Sequence, residues 1–293
     1  MGIDRNSLNF LRFCNHKIGN FGKTITLGRH GLHITENIAW DDFSKKVVEE
    51  AKLNSEYFID ETLKRIFGST SVNSMDFSDY EGASIVHDLN LPIGDTIPQF
   101  DTVIDAGTTE HVFDIFTATR NVIKLCSVGG TIIQILPANN YCGHGFWQFS
   151  PELFWGMYSP ENGFKNTEIF LAKVDEPKRW FRLVELAHAG RANFFSKNRV
   201  QLLVKTTKTH EVKLFKWPQQ KDYTQKWSRK NDQDTDTLSR VATSSFRDFV
   251  NRYPLLKAAK HRVFRTRVPL SMRLNSLNPC IKVVNVRELI KQS

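Results

Sequence analysis

FDTVIDAGTTEHVFD, residues 100–114, decides the fold. Residues 100–105 read as a strand, Asp105-Ala-Gly107 as the turn that ends it, and residues 110–125 as a helix. Gly129-Gly130 stops that helix, and residues 131–136 form another strand, closed by Pro137. A strand, a sharp turn and a helix that leads straight into a second strand make up the repeating unit of an α/β sheet.

The same alternation extends in both directions. Residues 23–28 are short, β-branched and end in glycine, which predicts a buried strand. Between 41 and 67 the period becomes helical. Phe43, Val47, Val48 and Ala51 share one face, Ile59, Leu63, Ile66 and Phe67 form a second run, and Asn54-Ser55 breaks them. Residues 71–76 and 83–87 are further strands, and the short interval from Asp76 to Asp88 leaves room for a turn in place of a helix. Residues 167–174 and 200–206 are two late strands, suited to an antiparallel pair at the sheet edge. The expected architecture is α/β: a Rossmann-like, doubly wound, mostly parallel sheet of about seven strands. It occupies residues 1–208 with a helical insertion at 36–67. A polar linker follows at 209–240, then a basic helical extension at 241–293. Within that extension, residues 244–262 predict an amphipathic helix with Phe246, Val250, Leu255 and Ala259 along one side.

Composition narrows the class. Hydrophobic residues make up 40% and charged residues 24% of the 293, ordinary values for a domain with a sizeable core. No apolar run approaches the roughly 20 residues that span a bilayer. Residues 1–10 have no apolar segment of the secretory kind, and Asn6 stands where a myristoylation site wants Ser or Thr. The expectation is a soluble, cytoplasmic protein. Cys14, Cys126, Cys142 and Cys280 are scattered without a C-x-x-C pair, so no structural zinc is expected and the site requires no metal. The net charge of +9 comes from the end of the chain, where eleven Lys and Arg in residues 246–293 face only Asp248 and Glu288. That tail suits an anionic partner or a membrane surface. Its aromatics are few, and no specific nucleic-acid motif accompanies it.

Ligands of an open α/β sheet sit at the carboxyl ends of its strands. Those ends carry Gly28, Asp76, Asp88, Asp105 with Glu110 and His111, and Asn139. Glycine lets a cofactor approach the backbone, and a carboxylate at the second strand end can accept from both hydroxyls of a ribose. An acid at the third end can accept from an adenine amino group. Residues 141–152 gather Cys142, His144, Trp147, Gln148 and Glu152 among glycines, a composition suited to an acceptor pocket in which aromatics stack and His144 takes a proton. His111 would lie at the cofactor–acceptor boundary. Glu110 reads either as part of that site or as the cap of the following helix. Ser150-Pro151 reads as a helix start.

Residues 100–114 resemble the fourth-strand motif of class I S-adenosylmethionine-dependent methyltransferases, FD-x-V with EHV-x-D. The run VGGTIIQILP at 128–137 is similar to their fifth-strand motif. Met75-Asp76 and His87-Asp88-Leu89-Asn90 fit their second- and third-strand acids. A bacterial subgroup found among surface-glycan genes has a similar YEGA…HDLN stretch and a GHGFxQFSPEL segment like residues 143–153. The resemblance covers about residues 20–208. It implies S-adenosylmethionine, which Gly28, Asp76, Asp88, Asp105 and Glu110 would hold; on the residue reading above, His111 and His144 would be catalytic. Trp147, Gln148 and Asn139 would face a small-molecule or glycan-related acceptor. The first-strand loop departs from the family pattern, with Leu27-Gly28-Arg29-His30-Gly31 where an acidic-x-G-x-G-x-G sequence is usual. A relative that has lost the cofactor and serves as a binding module is therefore the second reading. A nucleic-acid methyltransferase fits less well, because Asp105-Ala-Gly-Thr replaces the Asn/Asp-Pro-Pro-aromatic motif.

Overall fold

A computed structural model describes residues 2–34, 39–53, 58–184, 192–220 and 280–292. In chain order the strands are β1 (Gly2–Ile3), β2 (Gly22–Leu27), β3 (Gly31–Leu32), β4 (Ser69–Asp76), β5 (Ile85–Val86), β6 (Phe100–Asp105), β7 (Cys126–Asn139), β8 (Phe164–Lys173), β9 (Arg179–Leu183), β10 (Val200–Lys208) and β11 (Ile281–Asn285). The helices are α1 (Arg5–Ile18), α2 (Asp42–Leu53), α3 (Asp60–Arg65), α4 (Ile115–Leu125), α5 (Pro151–Met157) and α6 (Val286–Gln292).

Nine strands form one sheet in the order β11-β9-β8-β10-β7-β6-β2-β4-β5, and β1 pairs with β3 apart from it. Pairings from β5 to β7 are parallel, and those from β7 to β11 are antiparallel. The expected sheet of about seven mostly parallel strands is thus corrected to nine in a mixed sheet. The expected β8–β10 antiparallel pair is present, but β9 and β11 continue it outward. They are five-residue strands that become recognisable only through the ladder they complete.

Alternate residues of each strand feed two cores, as the two-residue period requires. Val103, Ile132 and Leu202 pack with Val122 and Leu125 of α4 and Phe154 of α5. Their neighbours Ile104, Ile133 and Leu203 pack with Leu8 and Phe13 of α1, Val47 of α2, Leu63 of α3 and Ile290 of α6. Helices therefore cover both faces. α1, which the periodicity reading did not identify, is a main component of the second core. Asp4 caps it by accepting from the Ser7 backbone N–H at 2.8 Å, and the α1 residue Asn6 receives the Trp180 indole N–H at 3.0 Å.

Three local expectations change. The helix expected over 110–125 splits into a 3-10 turn, Thr109–His111, and α4, whose cap is Asp114 accepting from Thr117 N at 3.0 Å. Gly129-Gly130 lie within β7, and α4 ends earlier, at Leu125. β7 also runs past Pro137, which sits opposite Gln201 next to the register shift with β10, the kind of irregularity at which a strand tolerates proline. The short connection from β4 to β5 holds no helix, as expected. The helix expected at 244–262, and most of the basic tail, lie outside the described residues. Among the described residues, no helix is long and apolar enough to cross a membrane.

Candidate functional site

A cleft of about 250 Å³ opens at the carboxyl ends of β2, β4, β5 and β6, lined by Gly28, Arg29, Asp76, Asp88, Thr108 and His111 among others. Gly28 lines it with φ +75°. A Cβ built there would meet Thr108 Oγ1 at 2.7 Å, and Asp76 Oδ2 lies 3.9 Å from that same point. A side chain at this position would collide with Thr108 as well as carry an unfavourable positive φ, so the turn requires glycine. Thr108, which the sequence reading did not single out, ties the two central strand ends together by donating its hydroxyl to the Leu27 carbonyl.

Asp76 accepts from Phe77 N through Oδ1 at 2.7 Å. Asp88 accepts from both the backbone and the side-chain nitrogen of Asn90, at 2.9 and 2.7 Å. These bonds hold its carboxyl below the usual range. Arg29, the cation of the atypical first loop, is tied to the wall. Its guanidinium pairs with Asp60 at 3.0 Å, donates to the Glu81 carbonyl at 2.8 Å and lies over the Phe58 ring.

Asp105 corrects the expectation of direct cofactor contact. It is fully buried, and its oxygens accept from Thr108 N, Thr109 N, the Thr109 hydroxyl at 2.6 Å and Gln134 Nε2 at 3.1 Å. Burial pushes its carboxyl up despite these donors. Its role is to shape the turn that presents Glu110 and His111. That role depends on Gln134 from a neighbouring strand, which local sequence does not reveal.

Glu110 does not cap α4. It lies 1% exposed beneath the loop that follows β7, and burial, aided by the charge of Asp105, pushes its carboxyl up to about 8. Oε1 stands 3.6 Å from His144 Nε2 and 4.0 Å from His111 Nε2. The two imidazoles meet edge to face with ring centres 5.1 Å apart, close enough to serve one acceptor. Burial and the neighbouring His144 lower the His111 pKa. Tyr141 also packs on His144, with ring centres 5.5 Å apart.

The loop is fastened directly over Glu110, whose carbonyl accepts from Phe146 N at 2.7 Å and Trp147 N at 3.2 Å. Trp147 donates its indole N–H to the Val112 carbonyl at 2.9 Å and so clamps the loop to the α4 side. Gln148 and Asn139 use their side-chain oxygens within the loop, accepting from Tyr141 N and Asn140 N, both at 2.9 Å. Ser150 precedes Pro151 at the start of α5 but makes no side-chain cap bond. Phe113 and Phe146, 74% and 69% exposed, stand edge to face with each other, each two residues along the chain from one of the histidines.

No protein-family model matches the sequence, and no curated protein matches it. Several solved structures are similar. One is an O-methyltransferase from a trans-AT PKS multienzyme of Brevibacillus brevis in complex with S-adenosyl-L-homocysteine. Its TM-score is 0.38 at 11% identity, over 69% of this chain and 71% of that one. A second is the trans-methyltransferase CalH in complex with SAH, with TM-score 0.37 and 11% identity over 70% of this chain and 57% of that one. A third is an rRNA methylase from Streptococcus thermophilus, with TM-score 0.34 and 10% identity over 72% and 100%. These likenesses are too loose to bear on chemistry, which rests on the residues described above.

Proposed function

We propose that the chain transfers a methyl group from S-adenosylmethionine to a small-molecule or glycan-related acceptor bearing a hydroxyl. The observation that carries this reading is one juxtaposition. A cleft lined by Gly28 and by two carboxylates at its strand ends shares its His111 wall with the Glu110–His111–His144 cluster. The cleft residues fit the cofactor: Gly28 leaves the backbone bare at the end of β2, and Asp76 and Asp88 line the same cleft. Asp76 would accept from the ribose hydroxyls and Asp88 from the adenine amino group. When bound, the cofactor supplies a methyl carbon activated by a sulfonium. The residues of this chain orient the acceptor against it and relieve the acceptor hydroxyl of its proton. The histidine cluster performs that second task, and exposed Phe113 and Phe146 offer faces on which a sugar or planar ring can stack. The basic charge of residues 246–293 is in turn available to an anionic partner or membrane surface.

Titration calorimetry with S-adenosylhomocysteine tests the cofactor half. Wild-type protein should bind, and Asp76→Ala should weaken binding by about 10- to 150-fold, since hydrogen bonds to a charged group contribute roughly 1.5–3 kcal/mol. Equal affinity in the variant would remove Asp76 from the site. Absence of binding in the wild type would favour the reading as a binding module that has lost its cofactor.

A further inference from the structure

Glu110 combines two properties that seldom coexist. Its side chain is sealed from solvent, and its Oε2 has no hydrogen-bond partner. Among the described residues no Lys or Arg pairs with it; the two imidazoles stand nearest, and the nearby carboxyl of Asp105 adds repulsion. A buried carboxyl oxygen without a partner is costly in either protonation state, and a cation shared with the imidazoles on the Oε1 side would offset that cost. Neither imidazole has a hydrogen-bond partner among the described residues, and both rings are half-exposed, at 43% and 45%.

We propose that Glu110, His111 and His144 form a binding site for a first-row divalent transition-metal ion, with open coordination positions that take a hydroxyl or water oxygen from the cleft. One ligand atom from each residue lies within 4.8 Å of the other two. Two ligands bound at about 2.0–2.2 Å to one ion must stand no more than about 4.4 Å apart. Both carboxylate–imidazole distances, 3.6 and 4.0 Å, already meet that limit. Small rotations of two half-exposed rings bring the third pair into range.

The scaffold is preorganised. His111 N bonds the Thr108 carbonyl, His144 N bonds the Tyr141 carbonyl, and the His144 loop is fastened to the Glu110 carbonyl itself. The donor set selects the metal class. Two imidazoles and one carboxylate suit zinc, iron(II) or cobalt, whereas calcium and magnesium prefer all-oxygen sites. With three protein ligands and two of them facing outward, the remaining positions point to solvent and to the cleft that His111 lines. An oxygen ligand held there loses its proton more readily. With a cation bound, the imidazoles hold the metal, and activation of the hydroxyl passes to it.

Cobalt(II) titration of full-length, chelator-stripped protein, followed by visible absorption, tests the site without any turnover. One equivalent should saturate the ligand-field bands. Glu110→Gln and His144→Ala should each weaken binding by at least about 10-fold, the least that loss of a supporting residue around a metal costs. Exposed Cys142 is the obvious competitor, and Cys142→Ser should leave the bands and the affinity unchanged. Circular dichroism checks each variant. If Glu110→Gln fails to fold, His111→Ala and His144→Ala decide, because their rings are half-exposed. The proposal is overturned if wild-type protein binds no cobalt, if the histidine variants bind as tightly, or if only Cys142→Ser loses the ion. Failure here leaves S-adenosylhomocysteine binding untouched, so the two readings fall separately.

Discussion

His30 sits at the end of the first-strand loop, enclosed at 1% exposure, with its Nδ1 unpartnered and its Nε2 accepting from Ala106 N at 3.4 Å. Burial lowers its pKa from 6.5 to about 3, so the folded protein keeps this ring neutral. Above pH 6.5 the ring is neutral in both the folded and unfolded chains, and its contribution to stability is fully present. As pH falls toward 3 the unfolded chain takes up a proton that the folded one refuses, and stability is lost. The slope approaches about 1.4 kcal/mol per pH unit in the middle of that window. Denaturant unfolding of wild type and His30→Gln between pH 6 and 4 isolates the effect from the buried carboxyls, which respond in the opposite sense. The wild type should lose stability more steeply than the variant, and parallel curves would show that His30 is not held neutral. The same logic separates the residues of the candidate site that the sequence could reveal from those it could not. Gly28, Asp76, Asp88, His111 and His144 were legible because strand ends converge on one edge of such a sheet. The burial of Asp105 and Glu110 was not, because it is imposed by Gln134 and by the loop fastened across them.

At the scale of elements, the loop between β7 and α5 carries its own test. Gly145 has φ +72°, and a Cβ there would lie 2.8 Å from the Glu110 carbonyl oxygen and 3.0 Å from its Cγ. Gly143 has φ +83° and open space around it. Alanine at either position incurs the left-handed backbone cost of about 1–2 kcal/mol. Only Gly145→Ala also drives the loop off Glu110, so it should destabilise by about 1–3 kcal/mol more than Gly143→Ala in denaturant unfolding. Equal costs would mean that the loop does not rest on Glu110. Legibility differs among elements for physical reasons. The parallel strands were evident as β-branched runs closed by Gly, Asp or Pro. α1 was passed over although Leu8, Leu11, Cys14 and Ile18 recur at helical spacing; what its sequence does not reveal is that Asn6, Ser7 and Asn9 are buried with Leu8 and Leu11. Asn6 earns its place through partners far along the chain, the Lys173 carbonyl and Gln201.

At the scale of the molecule, the sheet divides its labour. The parallel half carries the cleft, and the antiparallel half ends in β11 and α6, contributed by residues 281–292. β11 covers the outer edge of β9, pairing Ile281 with Leu183 and Val284 with Trp180. Ile281, Val286 and Ile290 are each no more than 4% exposed and join both cores. Burying three such side chains stabilises by roughly 4–8 kcal/mol as an upper estimate, a large share of the 5–15 kcal/mol typical of a folded domain. Removal of residues 280–293 should therefore lower the melting temperature by about 10 °C or more. Ile290→Ala alone should cost about 2–5 kcal/mol. S-adenosylhomocysteine affinity of the folded fraction should stay within about threefold of wild type, a ΔΔG below about 0.7 kcal/mol, because β5, β4, β2 and β6 lie at the opposite end of the sheet. Calorimetric melting paired with ligand titration reads both quantities on the same sample. An unchanged melting temperature would show that β11 and α6 are dispensable to the fold. A collapse of affinity at intact fold would show that the two halves of the sheet are coupled.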